Sequence, residues 1–256
     1  MVDISKAFEK EHFEKENVEP TEAGVTGGLD DHLYMYHMPY SYTAEQIRKI
    51  RTHIFHMPDG ERKRIIMVTS SLPSEGKSLI ASNLAIAIAK GEDQHVLLVE
   101  CDLRRPALQD LFHYQPSPGL SEIIQGKRSI GDCLIKTPID KLTILSSAKE
   151  APANPSELLE SKNLGALIDE LAQRYPDRFV IIDTPPVQAT VDPKIIADHV
   201  EGIIFVVRYR YTRAMDFKMS LNTLPREKVM GIVLNAVDVM PAQKFKYRKY
   251  SYHKYY

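Results

Sequence analysis

Six short apolar runs separated by longer helical segments are the feature of this 256-residue sequence that most limits its fold. Most of the runs are continuously hydrophobic, which is typical of strands buried on both faces of a sheet. The segments between them are long enough for crossover helices, so the alternation predicts an α/β fold with a doubly wound, mostly parallel sheet flanked by helices. The predicted strands are residues 65–69, 96–99, 142–145, 179–182, 203–207 and 231–234, and the predicted helices include residues 77–90, 156–174 and 212–224.

Composition argues against several classes of protein. The 33 basic and 34 acidic side chains nearly cancel, so no overall charge attracts the chain to nucleic acid. Only two cysteines, Cys101 and Cys133, are present and there is no Cys/His set at zinc spacing, which argues against a disulfide scaffold or a structural zinc site. The longest apolar run, residues 84–89, is far shorter than the ~20 residues of a membrane span, and the N-terminus lacks a signal-peptide core. We therefore expect a soluble, cytoplasmic protein.

The two ends of the chain differ from its middle. Residues 1–31 carry nine acids and three lysines, a net charge of −6, whereas residues 244–256 carry five basic residues and no acid. Five of the 13 tyrosines fall in the last ten residues. Neither end has the apolar content to fold alone. We predict an acidic, partly disordered extension over residues 1–41, a folded domain over residues 42–240 and a flexible, basic, tyrosine-rich tail over residues 241–256.

A phosphate-binding loop follows the first predicted strand. Residues 71–78 fit G-x-x-x-x-G-K-[ST] with Ser71 in place of the first glycine. Loop N–H groups and the helix N-terminus can surround phosphate oxygens, Lys77 can reach the β- and γ-phosphates, and the Ser78 hydroxyl can bind Mg²⁺. Gly76 keeps a Cβ away from the close backbone approach. A Gly-Lys-Ser at a helix start without a ligand is the alternative, which the strand–loop–helix context disfavours.

Acidic residues follow two other predicted strands. Asp183 follows residues 179–182, and Glu100 and Asp102 follow residues 96–99. An acid at such a position is costly to bury unless a cation or hydrogen bonds satisfy it, and Mg²⁺ is the natural cation in a nucleotide fold. If the strand persists, Glu100 and Asp102 point the same way, so both could approach the γ-phosphate, one on the metal and one as a base. The alternatives are a turn aspartate before Pro-Pro for Asp183 and an ordinary strand-end acid for Glu100. Arg104 and Arg105 either pair with phosphate or a neighbouring subunit, or form a solvated turn.

These features together resemble the cytoplasmic domain of the bacterial tyrosine kinases, the autokinases of capsule and exopolysaccharide synthesis, from about residue 42 to residue 256. The tyrosine-rich tail is the most discriminating part, because related P-loop ATPases lack it. The resemblance implies a P-loop NTPase-like fold. The family-like stretches are residues 74–78, 96–106, 119–122, 154–159, 180–187 and 231–235.

The resemblance implies ATP and Mg²⁺ as cofactors and autophosphorylation of the tail in trans. The implied phosphoacceptors are Tyr247, Tyr250, Tyr252, Tyr255 and Tyr256. The implied catalytic residues are Lys77, Glu100, Asp102 and Asp183, with Ser78, Asp102 and Asp183 on the metal. The implied cofactor-binding residues are Ser71, Ser74, Glu75, Gly76, Lys77, Ser78, Leu79 and Asn235. The family usually has aspartate where Glu100 stands, and one extra methylene can misplace a carboxylate enough to cost ~10²-fold in rate. A catalytically weak, nucleotide-sensing regulator of a polysaccharide export complex is therefore an alternative.

The resemblance also implies assembly and partners. Glu45, Arg48 and Arg51 match the family's E-x-x-R-x-x-R element of ring formation, which makes residues 42–56 an oligomerisation helix. On the residues alone, a solvated charged helix face is the preferred interpretation. We expect a homo-oligomer, a separate membrane-bound activator that holds the protein at the inner face of the membrane, a cognate tyrosine phosphatase and no specific nucleic acid.

Three further alternatives concern the tyrosines and the ATPase class. The tail could instead be a basic contact for nucleic acid or anionic lipid. The tyrosines between residues 34 and 42 form either a second phosphorylated region or, preferably, a packing segment. A positioning or partitioning ATPase is the competing enzyme class, but such proteins carry a signature lysine early in the loop, where Leu72 stands, and lack a tyrosine tail.

Overall fold

A seven-stranded sheet carries the fold in the computed structural model, which describes residues 27–57, 62–92, 94–174 and 178–238. The spatial order of the strands is β3-β4-β2-β5-β1-β6-β7, and every neighbouring pair is parallel except β3 and β4. The predicted doubly wound, mostly parallel sheet is confirmed. The strands are β1 (Ile65–Ser70), β2 (His95–Glu100), β3 (Leu134–Lys136), β4 (Leu142–Leu145), β5 (Arg178–Asp183), β6 (Gly202–Arg208) and β7 (Val229–Asn235).

Helices flank this sheet. Within the described parts of the chain, every helix is too short or too polar to traverse a lipid bilayer. Short 3₁₀ helices span Gly131–Cys133 and Arg226–Lys228. The α-helices are α1 (Tyr34–His37), α2 (Tyr42–Phe55), α3 (Lys77–Ala89), α4 (Leu108–Phe112), α5 (Leu120–Ile124), α6 (Pro155–Leu159), α7 (Lys162–Arg174), α8 (Asp192–His199) and α9 (Ala214–Asn222).

Local pattern located six of the seven strands but not every element. It missed β3, whose three residues are too few to show a period. The helix predicted over residues 156–174 is divided into α6 and α7, which meet at a turn at residues 160 and 161. Helix α8 was also missed, because its eight residues follow a Thr-Pro-Pro turn and carry a weak apolar stripe.

The core has two layers, one on each face of the sheet. On one face Ile66, Val68 and Leu98 pack against α3, which is covered from outside by α1 and α2. Eleven of the thirteen residues of α3 are buried, which explains why this helix is apolar all round. On the other face Met67 and Leu97 pack with residues of α5, α7 and α8. The central strands are therefore covered on both faces, whereas Ile232 and Leu234 of the edge strand β7 are exposed. The carboxyl edge of the sheet is left to carry the polar residues.

The segment before α2 belongs to the folded unit. Leu29, Leu33 and Met35 are buried in the layer around α3. The domain boundary predicted at residue 42 is therefore too late, because these side chains contribute apolar burial that residues 42–240 alone would lack. The segment packs through these apolar residues and not through its tyrosines, since Tyr36 and Tyr40 are 38% and 83% exposed. Residues 1–26 and 239–256, which include most of the acidic extension and the whole tail, lie outside the described residues.

The Asn83 amide fastens this segment to α3. Its Oδ1 accepts a hydrogen bond from the Met35 backbone N–H at 3.0 Å, and its Nδ2 donates to the carbonyl oxygens of His32 and Leu79 at 3.1 and 3.0 Å. Asn83 is buried. Removing the amide would leave backbone groups of the segment without their partner in a site shielded from water.

We expect Asn83→Ala to lower the free energy of unfolding by about 1–3 kcal/mol, the usual cost of leaving buried polar groups unpaired. Urea denaturation measures it. Ser82→Ala is the matched control, because the hydroxyl of this neighbouring, fully buried residue has no hydrogen-bond partner among the described residues. Its stability should stay within about 0.5 kcal/mol of the unmodified chain. Equal losses in both variants would contradict the role given to Asn83.

Candidate active site

The phosphate loop connects the carboxyl end of β1 to the first turn of α3. Ser74 and Gly76 both have positive φ angles, +63° and +89°. Left-handed backbone is natural for glycine, and a Cβ at Gly76 would also collide with the side-chain amide of Asn235. Glycine is thus required at position 76 for two reasons: its positive φ angle and the proximity of the Asn235 side chain at the end of β7.

Residues at the ends of β6 and β7 hold the phosphate loop from one side. Asn235 Nδ2 donates to the Glu75 carbonyl oxygen at 2.9 Å, and Arg208 donates to the Ser74 carbonyl oxygen at 2.9 Å. The Glu75 carboxylate accepts from the Leu72 N–H at 2.7 Å and from the Thr212 hydroxyl. The side chains of Glu75 and Asn235, which were predicted to bind the cofactor, thus form hydrogen bonds that hold the phosphate loop. Sequence reasoning missed Arg208 and Thr212, since no local pattern links them to a loop more than 130 residues earlier.

Lys77 stands between the two predicted aspartates. Its ammonium lies 3.1 Å from Asp102 Oδ2 and 3.8 Å from Asp183 Oδ1, and it donates to the Ser78 hydroxyl at 3.2 Å. Burial by itself would lower the pKa of Lys77, but the carboxylates of Asp183 and Asp102 outweigh it and raise the pKa above its ordinary value. The structure thus brings four predicted site residues together.

Sheet order explains why these residues meet. Strand β5 lies between β1 and β2, with Asp183 in register with Val68 on one side and Glu100 on the other. The carboxyl ends of three parallel strands therefore meet beside the phosphate loop, where ligands bind in open α/β sheets.

Asp183 and Ser78 fit a hard divalent cation. Asp183 is fully buried, and neither of its carboxylate oxygens has a hydrogen-bond donor at hydrogen-bonding distance and angle among the described residues. Burial raises the pKa of Asp183, and the nearby Lys77 ammonium and Ser78 hydroxyl oppose that rise. Mg²⁺ prefers such oxygen ligands and keeps several waters. Among the described residues no group of three or more His, Cys, Asp or Glu side chains forms a metal site, so phosphate and water would complete the shell.

The Glu100 side chain does not point in the same direction as Asp102, contrary to what strand alternation predicts. Strand β2 ends at Glu100, so its pleat does not extend to Asp102. The Glu100 carboxylate accepts hydrogen bonds from the N–H groups of Ala107 and Leu108 at 2.5 and 2.7 Å and from the Tyr114 hydroxyl at 3.2 Å. Burial raises the pKa of Glu100 to about 7. The expectation that both acids point toward the γ-phosphate is therefore corrected: only Asp102 reaches the cavity.

A cavity of about 630 Å³ opens over the phosphate loop. This volume falls in the range of small-molecule sites. Arg104 and Arg105 are exposed and both line this cavity. Arg104 also donates to Ser156 Oγ of α6 at 2.8 Å and lies 3.4 Å from Asp192 of α8. The lining includes Lys77, Ser78, Leu79, Asp102, Leu111, Pro185 and Pro186.

The predicted assembly residues lie on α2, away from this cavity. Arg48 donates to Glu45 at 2.7 Å and to the Pro39 carbonyl oxygen, and Arg51 donates to the Ala87 carbonyl oxygen at 2.8 Å. Ala87 is ten residues after Lys77 on α3, so Arg51 is about 15 Å along that helix from the phosphate loop. All three side chains have partners within the subunit. The five predicted phosphoacceptors lie outside the described residues.

The sheet, the strand–loop–helix unit and the strand-end acids define the P-loop NTPase-like fold class. The MinD protein of Pyrococcus horikoshii, solved with Mg-ADP, has the same fold with a TM-score of 0.56 at 20% identity, over 72% of this chain and 76% of that chain. The crystal structure of the chimerical protein CapA2B2 is more similar, with a TM-score of 0.75 at 32% identity, over 86% of this chain and 95% of that chain.

Curated relatives give the family. Tyrosine-protein kinase YwqD of Bacillus subtilis is 33% identical over 212 residues, which is 82% of this chain and 87% of that protein. Tyrosine-protein kinase ptk of Acinetobacter johnsonii is 34% identical over 196 residues. No protein-family model matches the chain. The chain belongs to the bacterial tyrosine kinases. It spans only about a quarter of the length of ptk, although it covers most of YwqD.

The side contacts of the phosphate loop lead to a first test of nucleotide binding. We expect Thr212→Val to weaken Mg-ADP binding about tenfold, because it removes the hydroxyl that donates to the Glu75 carboxylate without changing side-chain shape. Isothermal titration calorimetry measures the affinity. Thr223→Val is the matched control, since the Thr223 hydroxyl donates to the Ser220 carbonyl oxygen at the end of α9. Unchanged affinity in Thr212→Val would show that the Thr212 contact does not shape the loop.

Proposed function

We propose that the chain is an ATP-dependent protein-tyrosine autokinase that phosphorylates its C-terminal tyrosines in trans and regulates exopolysaccharide or capsule synthesis or export. The observation that carries the proposal is the placement of the Lys77 ammonium between Asp102 and Asp183, at the end of a phosphate loop and on the wall of one cavity. Membership of the tyrosine kinase family supports the choice of acceptor.

Each residue of the site has a separate task in this proposal. Backbone N–H groups of the phosphate loop and of α3 bind phosphate oxygens, and Lys77 neutralises the β- and γ-phosphates. Ser78 and Asp183 would hold Mg²⁺, which when bound neutralises charge on the transferring group. Asp102 is the base for the incoming phenol, because its carboxylate lines the cavity. A phenol has a pKa near 10, so a nearby base assists as the new P–O bond forms.

The position where β7 ends supports the tail as the acceptor. Asn235 is the last residue of β7 and contacts the phosphate loop, so the chain leaves the sheet at its carboxyl edge. Eighteen residues follow residue 238, and an extended chain of that length reaches at most about 60 Å. That reach is sufficient for a neighbouring subunit. Five tyrosines among the last ten residues give such a neighbour several hydroxyl nucleophiles.

Transfer in trans requires that subunits meet, and Glu45, Arg48 and Arg51 are the proposed contact. Their present partners lie within the subunit, so assembly would exchange or share these hydrogen bonds. Each phosphate adds about −1.5 to −2 charges, so three would cancel the five positive charges of residues 244–256. We propose that this charge reversal releases the tail and loosens the assembly. The membrane-bound activator, the tyrosine phosphatase and the location at the membrane stay predictions.

The kinase proposal is tested by adding ATP and Mg²⁺ to the purified chain and detecting phosphotyrosine. We expect a strong signal from the unmodified chain and at least a 10²-fold loss in Lys77→Met, because a cation at the transferring phosphate is removed. A variant with all five tail tyrosines changed to phenylalanine keeps the tail's charge and should lose the signal. Mixing Lys77→Met with a five-phenylalanine partner should restore phosphate on the Lys77→Met chain, which indicates transfer in trans.

Other outcomes identify the alternatives. Hydrolysis of ATP without phosphotyrosine would select a positioning ATPase, and nucleotide binding with neither product would select a sensor. A full signal from the five-phenylalanine variant would place the acceptor elsewhere in the chain.

Assembly is tested by mass photometry before and after addition of ATP and Mg²⁺. We expect Arg48→Glu to reduce the assembled fraction about tenfold, because it places two carboxylates together at the proposed contact. ATP should reduce assembly of the unmodified chain but not of the five-phenylalanine variant. An assembled fraction that responds to ATP equally in both forms would rule out release by charge reversal. Lys218→Glu, a charge change on α9, is the control and should leave assembly unchanged.

A further inference from the structure

The carboxylate of Glu100, the last residue of β2, accepts hydrogen bonds from the far end of the loop that follows it. This acid loop, residues 101–107, follows Glu100 directly and carries Asp102 and both arginines. At its far end the N–H groups of Ala107 and Leu108 donate to Glu100 Oε1 at 2.5 and 2.7 Å. The side chain at the start of the loop therefore closes it. Because helix α4 starts at Leu108, the same carboxylate also satisfies N–H groups that the helix leaves free.

A third hydrogen bond reaches Glu100 from beyond α4. The Tyr114 hydroxyl donates to Glu100 Oε2 at 3.2 Å, and Tyr114 is itself buried in the core around α3. Glu100 is 1% exposed. The carboxylate thus joins the end of β2, the start of α4 and the segment after α4 in one shielded cluster.

We infer that Glu100 is a positioning residue of the kinase reaction, which sets the place of Asp102 by closing the acid loop, and that it is not the catalytic base. The inference rests on the proposed kinase function. A base must contact the attacking hydroxyl, directly or through water. Asp102 lines the cavity over the phosphate loop, whereas Glu100 is not part of its lining. Oε1 of Glu100 accepts from the N–H groups of Ala107 and Leu108, and Oε2 accepts from the Tyr114 hydroxyl.

Hydrogen bonds within the acid loop connect the end that Glu100 holds to Asp102. Asp102 Oδ1 accepts from the Arg105 N–H at 3.0 Å, and the Cys101 N–H donates to the Asp183 carbonyl oxygen at 2.8 Å. The loop is therefore fixed at its start to β5, in its middle to Asp102 and at its end to Glu100. Loss of the hydrogen bonds to Glu100 would release residues 107 and 108 at the end of the acid loop. We expect the distance from Asp102 to Lys77 to increase as a result, because the loop would no longer be held at that end.

Side-chain length makes the inference testable. Glutamine at position 100 keeps an oxygen at the same distance from the backbone, so it can accept from both N–H groups but cannot act as a base. Aspartate keeps the charge and is about 1.5 Å shorter, so it cannot reach both groups from the same backbone. A positioning role and a base role therefore rank the two variants in opposite order.

The experiment measures kcat and KM for ATP by phosphotyrosine formation in Glu100→Gln, Glu100→Asp, Glu100→Ala and Tyr114→Phe. We expect Glu100→Gln to keep kcat within about fivefold, and Glu100→Asp and Glu100→Ala to lose about 10²-fold, the usual cost of misplacing a catalytic group by an ångström. Tyr114→Phe should lose about fivefold, because two of the three hydrogen bonds remain. A Glu100→Gln variant as inactive as Glu100→Ala, with Glu100→Asp active, would overturn the inference and identify Glu100 as a base.

A second measurement does not depend on kinase activity. Amide hydrogen exchange of residues 107 and 108 should speed up at least tenfold in Glu100→Asp and stay near that of the unmodified chain in Glu100→Gln. Unchanged exchange in Glu100→Asp would overturn the inference even if the chain forms no phosphotyrosine. Glu122→Gln is the matched control, because Glu122 similarly accepts from backbone N–H groups of residues 119 and 149 but lies on α5. It should leave both kcat and the exchange at residues 107 and 108 unchanged.

Discussion

The ion pairs of Lys77 with Asp102 and Asp183 hold the site together, because an isolated carboxylate as buried as Asp183 would be too costly to keep charged. The ammonium comes from the first turn of α3 and the two acids follow neighbouring strands, so one cation fixes three elements relative to each other. A shift of any of them leaves a charge without its partner. The phosphate loop, the acid loop and the end of β5 therefore form one unit.

The same charge balance would change if nucleotide binds as we propose. A triphosphate brings negative charge to the phosphate loop and attracts Lys77 toward it, which leaves Asp183 in need of another cation. The Asp183 oxygens, which accept no hydrogen bonds within the described chain, and the Ser78 hydroxyl suit a hard divalent ion. We therefore expect nucleotide and metal to favour each other's binding, since each would compensate the charge that the other exposes.

The features that the sequence predicted depend on local patterns, whereas most of those that it missed depend on contacts between residues far apart in the chain. Strands β1, β2 and β5, the phosphate loop and the meeting of Asp102 and Asp183 follow from local patterns and from the rule that ligands lie at the carboxyl edge. The contacts of Asn83 with Met35 and of Asn235 with Glu75 join residues 48 and 160 positions apart, and no local pattern records them. Glu100 was misplaced for another reason: alternation was extended past the end of β2, where the carboxylate instead found the N–H groups of the following loop.

The geometry around Glu100 shows how a kinase site can accommodate glutamate where the family usually has aspartate. Of the two acids, only Asp102 lines the cavity, so the proposed reaction has one carboxylate within reach there. The longer side chain is then useful because of its reach, since it spans to Ala107 and Leu108 while Tyr114 fixes its other oxygen. A carboxylate saturated with donors rigidifies the backbone to which it bonds, and a rigid acid loop keeps Asp102 at a constant distance from Lys77. If Glu100 positions the acid loop, as we infer, glutamate at this position is compatible with catalysis, because Asp102 is the base of the proposed reaction and Glu100 only supports the loop that carries it.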